Sequence, residues 1–299
     1  MPEEKKPLVE TRGKFVIYRM NFDSLHELEH YLLGNPKVNT KIFKSLKSEY
    51  LSEDFAGEKL EKAINYCHGG YRKEFDRFLL LKKKLDSVNV KKSHGRRTVS
   101  SFVGSRPNVA AYVAGVPKNM YRIERVKEKK FIDIYMNLAY SGETTDEQIL
   151  NRGILTLNLI SIFEASGLGV NLFVFEASHL YDEVFITEIK LKKYGEITNV
   201  GKCYYPLCGK EFIRRVLARV KESMPFKEKW SIGYGASLPE SIIRDILHIN
   251  SNAFLISTPE EMGIKGYDIF EDADAFLEKL NLTDRVSVPR YRDFNDREK

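Results

Sequence analysis

The pattern of apolar and polar positions divides the chain into three zones. In the first, the β-branched and aromatic run Lys14 to Met20 (KFVIYRM) predicts one short strand. Asn21, Asp23 and Ser24 then supply cap chemistry, and Leu25, Leu28 and Leu32 fall on one helical face. Gly34-Asn35-Pro36 stops that helix. A second helix is expected from near Gly57, with Leu60, Ile64 and Cys67 in register, ending at Gly69-Gly70. A third runs from Tyr71 through Phe75, Phe78, Leu79 and Lys82 to Lys84, and ends near Leu85. Residues 1–86 therefore read as a small, mainly helical N-terminal region. The second zone, 87–127, holds Gly95, Gly104, Pro107, Gly115 and Pro117 between two short β-leaning runs, Thr98–Val103 and Val109–Val113. It reads as a loop-rich connector or platform.

The third zone, 128–299, carries the strongest signal. Phe131 to Asn137 (FIDIYMN) is a β run, and the polar turn Tyr140 to Asp146 follows it. A long helix comes next, with Ile149, Gly153, Leu157, Ile160 and Phe163 on one face and Gly167 at its end. Val170 to Phe175 (VNLFVF) is continuously apolar, as a strand buried on both faces is. Val184 to Leu191 is a further strand after a gap too short for a parallel crossover, so these two strands should pair antiparallel. Helices at Lys210–Glu222, Pro239–His248 and Asp272–Leu280, and a strand at Ala253–Thr258, complete the order β-α-β-β-α-α-β-α. The fold class expected is α/β: a doubly wound, mostly parallel sheet with one antiparallel strand.

Composition adds little until it is split by region. The 299 residues are 42% hydrophobic and 30% charged, with 48 Lys+Arg against 42 Asp+Glu. That balance excludes disordered, collagenous and disulfide-scaffold classes. Between Lys82 and Lys130, however, 14 Lys/Arg face three acids, so this segment is +11 and the rest of the chain is −5. No apolar run approaches the roughly 20 residues of a membrane helix, and no membrane partner is expected. The N-terminal MPEEKKPLVE lacks the apolar core of a secretory signal, and three cysteines suit a reducing compartment. A cytoplasmic protein is the expectation.

An open sheet with one antiparallel strand after its second strand resembles the von Willebrand factor A-like fold. That family carries a D-x-S-x-S metal motif after its first strand, and the matching stretch here is Asn137-Leu-Ala-Tyr-Ser141-Gly142. Asn replaces Asp, Ala replaces the first Ser, and only Ser141 survives. The family's threonine anchor would fall at Thr198, and its third anchor at Ser257-Thr258-Pro259, which has no aspartate. A hard divalent cation needs carboxylate ligands, so the resemblance implies a domain that has lost its metal, with no cofactor. Phe102-Val-Gly-Ser-Arg-Pro-Asn-Val109, Tyr112-Val-Ala-Gly-Val-Pro-Lys-Asn-Met120 and Asp54-Phe-Ala-Gly-Glu-Lys-Leu-Glu-Lys-Ala63 resemble a family of bacteriophage proteins. This implies a protein made inside a bacterial host cell.

Three kinds of chemistry follow. Ligands of open α/β sheets bind at the carboxyl ends of strands, which singles out Asn137, Ser141, Glu143 and Thr144 as a face for a host or phage protein. A non-enzymatic recognition or adaptor role is the first expectation. Lys91, Lys92, Arg96, Arg97 and Arg106, with Phe102, Tyr112 and Tyr121 nearby, offer phosphate pairing and base stacking to nucleic acid. The competing reading of that segment is a solvated basic surface, or a segment that docks on the −5 remainder of its own chain. Last, His26-Glu27-Leu28-Glu29-His30 fits the H-E-x-x-H zinc-hydrolase pattern, against the plainer reading of an exposed helix edge. Cys203 and Cys208 lack a second metal-binding pair and read as loop packing.

Overall fold

The computed structural model describes residues 5–43, 50–85, 95–126, 131–227 and 236–282. The chain opens with a hairpin, β1 (Leu8–Arg12) and β2 (Phe15–Phe22), which turns at Gly13 with φ +56°. Ser24 caps α1 (Leu25–Leu33) by accepting from the Glu27 amide, and Leu25, Leu28 and Leu32 are buried as the spacing requires. Helices α2 (Glu53–Ala56), α3 (Leu60–Asn65) and α4 (Phe75–Leu85) follow. The basic zone forms its own three-stranded sheet, β3 (Gly95–Ser101), β5 (Met120–Val126) and β4 (Arg106–Pro107) in that spatial order, with α5 (Val109–Val113) inserted. Val109–Val113 is thus a helix, not the β run its composition suggests, because Asn108 accepts from the Ala111 amide and caps it.

From β6 (Phe131–Asn137) onward the elements match the sequence pattern closely: α6 (Asp146–Ala165), β7 (Gly169–Leu180) and β8 (Glu183–Lys192). Then come α7 (Val200–Cys208), a π-helical segment at Phe212–Leu217, and α8 (Ala218–Glu222). The short strand β9 (Ala236–Ser237), α9 (Glu240–Ile246), β10 (Phe254–Ile256) and α10 (Ile269–Lys279) are the last elements among the described residues. Cys203 and Cys208 lie on α7, buried inside a helix rather than in a loop.

The central sheet has the order β1-β2-β8-β7-β6-β10, with β9 beside the end of β7. β6, β7 and β10 run parallel, and β8 is antiparallel to β7 as the short gap demands. The expected pattern of one antiparallel strand needs correction, because β2 pairs parallel to β8 and also opposes β6 and β7. The sheet is therefore mixed: β2/β8, β6/β7 and β6/β10 pair parallel, and β1/β2, β7/β8 and β7/β9 pair antiparallel. β2 extends this sheet, and α1, α3 and α4 contribute to its main core. One core lies between α6, α7, α8 and α10 and the sheet face bearing Met20, Ile134, Leu172 and Phe185. The second covers the face bearing Ile17, Phe175, Ala177 and Leu255, under α9. Helices thus pack on both faces, and among the described residues no helix is long and apolar enough to cross a membrane.

Candidate functional site

Along β7 the side chains facing α6 to α8 are Val170, Leu172 and Val174, all fully buried, and then the row turns polar with Glu176 and Ser178. Opposite them Lys221, on α8, is also fully buried. Its ammonium is paired with Glu176 Oε1 and donates to Ser178 Oγ at 2.8 Å, while Ser178 donates to Glu176 Oε1 at 3.2 Å. Burial pulls the Lys221 ammonium below its ordinary range, and the Glu176 carboxylate opposes that shift. The second oxygen, Glu176 Oε2, has no contact with solvent and no hydrogen-bond partner among the described residues.

That carboxylate lies at the floor of a cleft of about 740 Å³, formed where β6, β7 and β10 end. Its lining includes Phe55, Tyr140, Ile213, Arg214 and buried Thr258, with exposed Ser141, Glu260 and Glu261. One wall is pinned by two consecutive arginines of the π-helical segment. Arg214 Nη1 donates to the Phe55 carbonyl at 2.7 Å, and its Nη2 to Thr144 at 2.9 Å. Arg215 donates to the carbonyls of Leu51 and Glu58, both at 2.9 Å. Behind the cleft Arg152, fully buried, holds β6 to β10 by donating to the carbonyls of Asn137 (2.8 Å) and Ser257 (2.7 Å).

The predicted face is partly assembled here. Ser141 lines the cleft and Thr144 donates to Glu260 beside it. Asn137 is buried and used internally: its Oδ1 accepts from the Ala139 amide and its Nδ2 donates to Ser237, so its side chain fixes the turn after β6. Glu143 is exposed and does not line the cleft. Thr198 lies at the opposite end of the sheet, donating to Glu164 at the end of α6, and so cannot serve as the second anchor. Glu176, Lys221, Arg214, Glu260 and Glu261 were not singled out by the sequence. Glu176 had a legible signal, a carboxylate two places beyond an apolar strand row. Its buried partner, 45 positions away, had none.

Residues 4–284 match the family described as a domain of unknown function, DUF7192. The chain belongs to the DUF7192 family. No curated protein and no solved structure matches it. In this DUF7192 chain the other sequence candidates fall apart from the cleft. His26 and His30 are both exposed on α1, and the Glu27 carboxylate is taken up by Lys5 and the Asp23 amide. Among the described residues no group of three His, Cys, Asp or Glu side chains is placed to hold a metal. Arg96 and Arg97 lie on β3 and Arg106, exposed, on β4, whereas Lys91 and Lys92 fall outside the described residues.

Proposed function

We propose that this chain is a recognition or adaptor protein that holds a host or phage protein at the strand-end cleft of a metal-less von Willebrand A-like domain. The strand order β8-β7-β6-β10, with its antiparallel β7/β8 pair, supports the fold reading. The observation that carries the function is the cleft: a concavity of about 740 Å³ with mostly apolar walls and a few converging polar groups, at the strand ends where such sheets bind ligands. Ser178 donates a hydrogen bond to Glu176 and accepts one from Lys221. These bonds hold the buried hydroxyl in place. The resemblance to bacteriophage proteins supports a bacterial host cell as its setting.

Peptides selected from a random display library on the wild-type protein test this. They should lose binding at least about tenfold on Ser141→Arg, which fills the rim, and keep it on Ile197→Arg, at an exposed position far from the cleft. Equal binding to both variants would sink the reading.

A second reading, nucleic-acid binding by the small sheet, is supported by its register. Position 96 pairs with Arg125 and Arg106 with Tyr121, beside the exposed rings of Phe102 and Tyr112. Affinity for labelled single strands should fall steeply with salt and drop in Arg96→Glu/Arg97→Glu. Unchanged retention by that double variant would end it.

A further inference from the structure

We propose that the small sheet β3-β5-β4 and its helix α5 form a contact through which two copies of this chain pair. On α5 and just past it, Val109, Tyr112, Val113 and Val116 follow the i, i+3, i+4, i+7 spacing of a helix face that covers a core. That stripe faces solvent instead: Val109 is 66%, Tyr112 70% and Val113 80% exposed. Phe102 and Val103, between β3 and β4, are exposed as well. Lys118 lies 5.8 Å over the Phe102 ring, which brings that turn to the end of the α5 stretch. No residue from 99 to 122 is buried, so this unit has strands and a helix without a core of its own. A small sheet needs its apolar face covered to be stable.

Charge and area indicate what covers it. Residues 107–117 include no charged side chain, and Asn108, their one amide, is spent on capping α5. An uncharged apolar surface is complementary to itself, and the two-fold dimer is the commonest assembly that closes such a surface. At their exposures, Phe102, Val103, Val109, Tyr112, Val113 and Val116 offer on the order of 700 Å² per copy, or about 1,400 Å² in a pair, which is the size of a stable interface. Nucleic acid is a poorer match, because the four valines neither pair with phosphate nor stack on bases. Arg106 and Lys118 flank the uncharged stretch on each copy, so like charges approach one another and the pair should tighten as salt rises. None of these residues lines the cleft, and the inference is independent of the recognition reading.

Sedimentation of the nuclease-treated full chain at about 50 µM tests this, since interfaces of this size support micromolar or tighter pairing. The wild type should run at twice the mass of one chain, and more completely in about 0.5 M salt than in about 0.05 M. Val109→Lys/Val113→Lys should pair at least about tenfold more weakly, whereas Tyr267→Lys, exposed outside this unit, should pair as wild type does. A second measurement leaves the patch intact. The native thiols are buried, so Val113→Cys adds an accessible one, and a short bis-maleimide should link it to its copy. Ile197→Cys, exposed outside this unit, should stay unlinked. A wild type that stays monomeric, a double variant that pairs unchanged, pairing that loosens with salt, or equal linking at both cysteines would overturn the inference. So would a monomer that holds labelled single strands through Val109 and Val113, which would make nucleic acid the occupant.

Discussion

Lys221 and Glu176 meet where α8 packs on β7, paired through one carboxylate oxygen while the other is sealed from solvent with no hydrogen-bond partner among the described residues. Both are shielded from solvent, so neither charge can fall back on water.

Breaking that pair from one side leaves a buried, uncompensated ion. Lys221→Met should lower the unfolding free energy by about 3 to 5 kcal/mol, and Glu176→Gln/Lys221→Met should recover much of it. Urea unfolding of the three proteins checks this. Single variants within about 1 kcal/mol of wild type would show that the ion pair is not buried as described.

Gly153 marks the tightest approach of α6 to α7. A Cβ built there would lie 2.4 Å from the Leu207 carbonyl oxygen and 2.5 Å from the Cys208 sulfur. Gly153→Ala must therefore push the helices apart, despite the gain in helix propensity, at a cost of about 1 to 3 kcal/mol. A thermal melt at or above the wild-type value would contradict this contact.

Burial raises the Glu188 carboxyl above its ordinary range, against the pull of Arg19 and Lys190. A raised folded pKa favours the protonated form. Its contribution to stability is thus present below about pH 4.3, the unfolded value, and is lost as pH rises through the folded one. Glu188→Gln should be more stable than wild type at pH 7, by about 0.5 kcal/mol, with the difference shrinking toward pH 4. Denaturant titrations at the two pH values decide it, and a variant that is weaker at pH 7 reverses the sign.

Cys67, Cys203 and Cys208 are all buried, and burial pushes each thiol up, Cys203 to about 12. A native sample should release almost no colour with a thiol reagent at pH 8, and all three thiols should react in denaturant. Rapid labelling of the folded protein would place at least one of them on the surface.

The stretch from Phe131 to Lys192 was legible because one continuous apolar run, VNLFVF, and one short gap leave few alternatives. β1 was not, since Leu8 and Val9 are exposed on an edge strand and offer no core-facing rhythm. α7 was missed, its Cys203 and Cys208 being read as loop packing, since a proline such as Pro206 is disfavoured inside a helix. The helix nevertheless starts at its Asn199 cap and carries Pro206 inside it. For the cleft, Ser141 was found from its place after a strand. Glu260 and Glu261 come just after the Thr258-Pro259 position where an aspartate was sought. The Lys221–Glu176 pair depends on packing between elements, which local pattern does not encode.

The β2/β8 pairing also orders events in time. Tyr18 donates to Glu183 across 165 positions of chain. On the ribosome, the first hairpin therefore emerges with its β2 edge open and waits for β8 to be made. Contacts closed over so long a loop form late and slowly, so this edge is where a nascent chain is most exposed to mispairing.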